Sequence, residues 1–281
     1  EENRLTKLWE GLGYYSRVRN LQKAARVIMT QHGGEFPRDY AAIRALPGVG
    51  DYTAGAVASI CFDAPEPAVD GNVLRVLSRV TQDEAPVTRP AVKKAYEAAL
   101  RPAYEKNPGK ISELTQSLME LGACVCVPNG APKCAACPLR EICCAGESGA
   151  WSRLPVKEAK KPRRVEEKTV FFLQCGGQYA VRRRPETGLL AGLWELPNVE
   201  GTLSAQQALA LLDSWGLVPE ELTRTRDRTH IFTHVEWHMR CYDIRVSAPV
   251  GSFTWVSGER FRQDIALPSA FRIFWQPEEP A

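Results

Sequence analysis

LPGVGDYTAGAVASICFDAPEPAVDGNVLR, residues Leu46–Arg75, joins a glycine-rich turn, a helix of small residues and an aspartate that opens a second helix. The turn Pro47-Gly48-Val49-Gly50 carries no bulky side chain except Val49. Backbone N–H groups can therefore approach a ligand at the start of the helix predicted over Asp51–Phe62. A ligand held that way is an anion, most simply a phosphate. A lone PGVG is equally an ordinary turn between two helices, so its meaning depends on what flanks it. Ala54, Gly55, Ala56, Ala58 and Ser59 are small enough to let a neighbouring helix pack closely. Asp70 precedes Gly71 and Asn72, after which Val73, Leu74, Val76, Leu77 and Val80 give a further helix an apolar face. An aspartate in that place is first of all an N-cap. The helix dipole also keeps such a carboxylate ionised, so it can face positive charge developing at a reacting centre.

Upstream, the pattern predicts a short helix from Arg4 to Trp9, ended by Gly11-Leu12-Gly13. Tyr14-Tyr15-Ser16-Arg17-Val18-Arg19-Asn20 then pairs aromatic residues with arginines. Alone, the cluster reads as a solvated helix start; its functional reading is an aromatic wedge beside phosphate-binding arginines. Leu21, Ala24, Ala25 and Ile28 recur at i, i+3, i+4 and i+7 in a helix that stops at Gly33-Gly34, and Asp39–Ala45 is a short amphipathic piece leading into the turn. The first residue is Glu1 rather than methionine, and Glu1–Gly11 already reads as helix. The expectation is that the sequence begins inside a domain.

Downstream, Ile111, Leu114, Leu118 and Leu121 mark an amphipathic helix that runs into Gly122-Ala123 and a cysteine cluster. Cys126, Cys134, Cys137 and Cys143 stand in the pattern C-x7-C-x2-C-x5-C, with Cys124 and Cys144 as additional thiols. Four closely spaced thiols in a chain without a secretory signal point to a metal or iron–sulfur site rather than to disulfides. Spacing alone leaves zinc and iron both open. Lys133 and Pro138 leave a short basic loop among these cysteines, placed to touch a backbone phosphate.

At 281 residues there is room for two domains. Hydrophobic residues at 44% and charged residues at 25% describe a soluble globular protein. A net charge of +3 permits a nucleic-acid partner without demanding one. No apolar run approaches the roughly 18 residues of a membrane span, and no secretory signal opens the chain; the expectation is a cytoplasmic protein with no membrane partner. From Gly146 to Lys168 the composition turns polar and basic, with Lys157, Lys160, Lys161, Arg163 and Arg164 around Pro155 and Pro162. This reads as an interdomain linker whose charge is either solvated or in contact with phosphate. Beyond it, Val170–Gln174 and Tyr179–Arg182 read as a hairpin around Gly176-Gly177. Ala205–Trp215 reads as a helix, Trp237–Val246 as a strand and Pro268–Trp275 as a closing helix, an α+β arrangement.

GLGYYSRVRN (Gly11–Asn20), LPGVGDYTAGA (Leu46–Ala56), PAVDGNVLRV (Pro67–Val76) and LMELGACVC (Leu118–Cys126) with the cysteines that follow closely resemble the MutY-type adenine DNA glycosylases of the helix-hairpin-helix superfamily. The resemblance implies a multidomain chain. Residues 1–145 would be an all-α helix-hairpin-helix glycosylase domain without its first helices, with a cluster loop at 124–144; residues 146–167 a linker; and residues 168–281 an α+β Nudix-like domain. Leu46, Gly48, Val49 and Gly50 would hold a DNA phosphate, with Tyr14, Arg17 and Arg19 as further DNA contacts. Cys126, Cys134, Cys137 and Cys143 would bind a four-iron, four-sulfur cluster. The family usually carries six residues between its first two cluster ligands, and here there are seven, Val127–Lys133.

In related enzymes that also cut the strand, the position of Tyr52 is a lysine whose amine forms a Schiff base with the sugar. A tyrosine cannot do so, which implies hydrolysis alone. Adenine is a poor leaving group and must be protonated as cationic character builds on the sugar. By resemblance Asp70 stabilises that cation, while Asn72 and Tyr52 orient water and substrate. The family's catalytic glutamate lies on a helix upstream of the GLGYY segment, and Glu1, Glu2 and Glu10 do not sit in its motif. The expectations are that this polypeptide does not excise adenine at the family's rate, and that a helical domain missing its first helices is unstable.

GLLAGLWELPNVE (Gly188–Glu200) and HIFTHVEWHMR (His230–Arg240) resemble the family's Nudix-like C-terminal domain. SAQQALALLDSWG (Ser204–Gly216) lacks the glutamate-rich box of Nudix hydrolases, which implies recognition rather than hydrolysis. The family reads 8-oxoguanine with an F-S-H triplet on a hairpin; here Phe232-Thr233-His234 takes its place, keeping the hydroxyl and adding a methyl group. Without the companion motifs, these residues read as a turn at a strand end. The partner implied is double-stranded DNA with adenine opposite 8-oxoguanine or guanine, bound by a monomer. The alternative class is a non-catalytic protein or fragment that binds the mispair.

Overall fold

The computed structural model describes residues 2–159 and 161–275. The chain opens with α1 (Glu2–Leu8), a glycine turn and α2 (Ser16–Gln31). There follow α3 (Tyr40–Ala45), α4 (Asp51–Phe62), α5 (Gly71–Val80), α6 (Pro90–Glu105) and α7 (Ile111–Glu120). A π-helical turn, Leu121–Val125, continues α7, and α8 (Cys144–Ser148) follows the cysteine loop. Contacts divide the chain into two compact units, Asn20–Lys160 and Glu1–Arg19 with Lys161–Ala281. The first nineteen residues therefore group with the C-terminal part of the sequence. No helix among the described residues is long and apolar enough to cross a membrane.

The unit Asn20–Lys160 is all-helical. Asp39 caps α3, its carboxylate accepting from Ala42 N at 3.0 Å. α4 starts at Gly50 without a side-chain cap, so its first amides have no partner inside the helix. It ends at Asp63, which takes φ 53°, and the Asp63 carboxylate accepts from Ile111 N at 2.9 Å and so caps α7. Ala54, Gly55, Ala58 and Ser59 form the buried face of α4. A Cβ on Gly55 would lie 2.7 Å from the Pro67 carbonyl oxygen. The small residues thus admit the segment leading to Asp70 as well as α7, against which α4 packs. On α5 the buried set is Val73, Arg75, Val76, Ser78 and Arg79. Leu74 and Leu77 are only partly buried, beside a core of Val69, Val73, Tyr96, Leu100, Tyr104 and Ile111. The apolar face expected on α5 therefore shares its burial with two arginines.

The second unit is built on a seven-stranded sheet. Its elements are β1 (Arg164–Cys175), β2 (Gln178–Arg183), β3 (Trp194–Glu195), β4 (Asn198–Glu200), α9 (Ala205–Ser214), β5 (Pro219–Ile231), β6 (Val235–Val246), β7 (Thr254–Ser257), α10 (Gly258–Gln263) and α11 (Ser269–Arg272). The strand order is β3-β2-β1-β6-β5, with β4 on β1 and β7 on β2. Among the described residues only β1 and β6 run parallel, in register from Arg164 opposite Val235 to Gln174 opposite Arg245. That pairing makes a strand of the charged stretch Arg164–Lys168, which composition alone reads as linker; Lys160 lies outside the described residues. β5 is a thirteen-residue strand that periodicity does not reveal. Among the described residues it pairs only with β6, and it is exposed along most of its length, so it needs no alternation of apolar side chains.

Two cores flank the sheet. One contains Val170, Trp237, Met239, Cys241, Phe271 and Phe274, and the other Phe171, Leu173, Leu212, Tyr242 and Ile244. α9 begins with a capping box in which Ser204 Oγ and the Gln207 side chain each accept from the other's backbone N–H. Arg226 is buried on β5, donating to Asp243 Oδ1 at 2.6 Å and to the Phe274 carbonyl at 2.8 Å. Phe271 is fully buried, its ring 5.7 Å from that of Trp237. Phe271→Ala is expected to destabilise this unit by about 3–5 kcal/mol, measured as a lower denaturant midpoint for the tryptophan fluorescence transition.

Candidate nucleic-acid interface

Leu46 is buried and ends α3 in extended conformation. Val49 N donates to Leu46 O at 3.1 Å and closes the turn. Gly48 takes φ +79°, and a Cβ there would come 2.5 Å from Asn20 Cβ, so a side chain fails on conformation and on space. Arg44 braces the turn, donating to Val49 O at 2.8 Å and to Asp51 Oδ1 at 2.5 Å. The hydrogen bond from Arg44 holds the Asp51 carboxyl below its ordinary range and offsets its charge. The first α4 bond of the ladder runs from Ala54 N to Gly50 O at 2.9 Å, which leaves the amides before it facing outward at a helix N-terminus. An anion is the ligand that arrangement takes.

Asp70 caps α5. Its Oδ1 accepts from Asn72 N at 2.9 Å and Val73 N at 2.8 Å, and its Oδ2 from Asn72 Nδ2 at 3.0 Å. Asn72 Oδ1 in turn accepts from Arg75 Nη2 at 2.9 Å. Arg75 is buried and also donates to Gly122 O at 2.6 Å and Cys126 O at 2.8 Å. Burial pushes the Arg75 guanidinium below its ordinary value. A Cβ on Gly122 would meet Asn72 Cβ at 2.5 Å, so glycine is what allows the π-helical turn to lie against Asn72. Tyr52, on the first turn of α4, is 37% exposed. Burial, and then the charge of Asp70, push its phenol up, so the hydroxyl keeps its proton. The Lys93 ammonium lies 5.9 Å from the Tyr52 ring centroid.

Cys126, Cys134, Cys137 and Cys143 line one cavity of about 580 Å3, together with Cys144 and Arg79; Cys124 is not among its lining residues. Arg79 is buried, and its Nη1 donates to Cys126 Sγ at 3.2 Å and Val127 O at 3.0 Å. Its Nε donates to Leu154 O at 3.0 Å. Among the described residues, no three His, Cys, Asp or Glu side chains converge closely enough to hold a single metal ion.

The remaining predicted residues lie in the second unit. Gly11, Gly13 and Tyr14 take φ of 89°, 67° and 46°. The Arg17 guanidinium carbon sits 4.7 Å from the Tyr14 ring centroid, and Tyr14 OH lies 3.3 Å from Thr233 Oγ1. Arg19 Nη1 donates to Ala191 O at 2.5 Å. Phe232 N donates to Val235 O at 2.8 Å and closes the hairpin between β5 and β6. The Phe232 ring packs edge-on against His230 at 4.6 Å and Trp237 at 4.8 Å. Tyr14, Arg19, His230, Phe232, Thr233 and His234 all line a cavity of about 640 Å3.

Residues 1–102 match the HhH-GPD superfamily base excision DNA repair protein family, and residues 169–276 the NUDIX domain family. The chain is 33% identical to the adenine DNA glycosylase of Mus musculus, over 96% of this chain and 63% of that protein. It is 36% identical to the adenine DNA glycosylase of Buchnera aphidicola subsp. Acyrthosiphon pisum, over 85% of this chain and 67% of that protein. The chain belongs to the adenine DNA glycosylase family. It spans about 63% of the length of the mouse relative. Among solved structures, a thermostable thymine-DNA glycosylase aligns with TM-score 0.45 and 29% identity, over 53% of this chain and 67% of that one.

Sequence reasoning missed Arg75, Arg79 and His230. The arginines stand at i and i+4 among the apolar residues of α5, the one signal that could have found them. Burial pushes the His230 imidazole below its ordinary value of 6.5. Its proton is then bound more tightly in the unfolded chain, so stability is held above pH 6.5 and lost as pH falls below it. His230→Phe is expected to flatten the fall in Tm of this unit on acidification from about pH 7 to pH 5; an unchanged slope would rule out His230 as its source.

Proposed function

We propose that this protein acts in base-excision repair, hydrolysing adenine from mispairs with 8-oxoguanine or guanine and leaving an abasic site without cutting the strand. The observation that carries the proposal is the Asp70 carboxylate fixed by Asn72 N, Val73 N and Asn72 Nδ2, in a chain with a tyrosine at position 52. A carboxylate fixed by three hydrogen bonds suits stabilisation of a sugar cation, because it costs little reorganisation as charge develops. A tyrosine in place of an amine offers no Schiff base, which supports hydrolysis. Asn72 holds Asp70 in place and, with Tyr52, orients water and the sugar.

In this reading the turn Leu46–Gly50, with Gly48 and Gly50 letting the backbone come close and Val49 closing it, presents the free amides at the start of α4 to a DNA phosphate while adenine is flipped out, at an unstacking cost of a few kcal/mol. Leu46 anchors the turn from below. Tyr14 enters the base stack, Arg17 stands beside the backbone, Arg19 supports the turn from inside through the Ala191 carbonyl, and Phe232, Thr233 and His234 read 8-oxoguanine. The partner is double-stranded DNA carrying the mispair, bound by a monomer.

Cys126, Cys134, Cys137 and Cys143 would hold a four-iron, four-sulfur cluster. Their donor chemistry fits: four thiols line one cavity, and Arg79 hydrogen-bonds one of them. The cluster would contribute folding energy to the loop rather than a chemical step. Iron and sulfide at four each per chain, with a broad visible absorption, are the expected result; stoichiometric zinc would contradict it.

Asp70→Asn is expected to lower adenine excision at least about a hundredfold while leaving mispair binding measurable, in the protein purified from its own cells. Unchanged excision would remove Asp70 from the mechanism. Mispair binding without excision in the unaltered protein would favour a non-catalytic lesion binder.

A further inference from the structure

The Tyr14 turn is held from outside itself. Gly11, Gly13 and Tyr14 occupy the left-handed region, which a tyrosine keeps only when its surroundings enforce it. Within the turn, Trp9 Nε1 donates to Gly13 O at 2.9 Å and Arg17 N to Tyr14 O at 2.8 Å. The Tyr14 ring is 64% exposed, so the backbone of the turn, not burial of the ring, sets where it stands.

The outside anchor is Glu10. Its Oε1 accepts from Leu267 N at 2.9 Å, and its Oε2 accepts from Lys7 Nζ at 2.8 Å. Lys7 Nζ also donates to Ile265 O at 2.9 Å. The two side chains are only 20% and 16% exposed, and Ile265, Ala266 and Leu267 are buried. An ion pair one helical turn apart thus clasps a buried backbone segment through both its donor and its acceptor. Charge-assisted bonds of this kind are the strong ones, and removing Glu10 would strand the Leu267 N–H. The clasped segment runs directly into Pro268 and Ser269, which line the same cavity as Tyr14 and Thr233. At the far side of the turn, Tyr14 OH meets Thr233 Oγ1 at 3.3 Å.

We infer that Glu10 is a positioning residue: with Lys7 it fixes the Tyr14 turn to the Ile265–Leu267 segment, and so sets how Tyr14 stands over the Thr233 hairpin and how sharply the cavity distinguishes 8-oxoguanine from guanine. The inference rests on the proposed reading of that cavity and adds to it a residue outside the reading motifs.

The test is fluorescence anisotropy with two duplexes, each carrying a tetrahydrofuran abasic analogue opposite 8-oxoguanine or opposite guanine. The unaltered chain is expected to prefer 8-oxoguanine; without that preference the proposed reading of the cavity falls, and this inference with it, whereas loss of the inference alone shows only in the variants. Given the preference, Glu10→Ala is expected to shrink the affinity ratio by about tenfold. Glu10→Gln, which keeps an acceptor for Leu267 N, should restore most of it. In a Tyr14→Ala background, Glu10→Ala should change the ratio no further, a result that general loosening of the unit would not give. An unchanged ratio in the single variant, or an equal fall in both backgrounds, overturns the inference. If Glu10→Ala does not fold, Lys7→Met carries the same expectation with a loss of about threefold.

Discussion

Two guanidinium groups buried on one helix hold the helical unit in its working arrangement. Arg75 and Arg79 lie one turn apart on α5 and donate to the carbonyls of Gly122, Cys126, Val127 and Leu154. Backbone carbonyls in loops need partners when buried, and these arginines supply them. The same helix presents Asp70 at its N-terminus, and Asn72 links that carboxylate to Arg75. One rigid element therefore fixes the aspartate at one end and the cysteine loop along its side. Removing either arginine would leave several carbonyls unpaired at once, a heavier loss than one exposed ion pair.

The second unit solves a different problem. Its parallel β1–β6 pair forms the centre of the sheet, and both faces carry apolar cores. The hairpin that bears Thr233 leaves this centre directly, braced by Phe232 against Trp237. A loop backed by rings packed edge-on has few ways to move. The residues up to Arg19 belong to the same unit, so the tyrosine turn and the hairpin share one scaffold although more than two hundred positions separate them in sequence.

Much of this was legible beforehand. Helix α4 runs from Asp51 to Phe62 as its pattern requires, and Asp70 is the cap its place before Gly71 predicts. The four cysteines meet around one cavity as their spacing suggests. β5 was not legible, because an edge strand exposed along most of its length carries no apolar period. Nor was the pairing that turns Arg164–Lys168 into strand, since the partner lies about seventy residues away. The buried arginines look on paper like the polar side of an amphipathic helix.

The sequence alone determined the local devices: the glycine turn before α4, the capped aspartate, the tyrosine on the first turn of α4, and the thiol set. Each depends on residue type and short spacing, which survive in one dimension. Only the tertiary structure decided that Arg75 and Arg79 face inward to the cysteine loop, that Glu10 and Lys7 grip Ile265 and Leu267, and that Tyr14 meets Thr233. Those contacts pair charged or hydroxyl groups with distant backbone or side chains. Nothing in the period or composition of either segment encodes such a partner until the chain is folded.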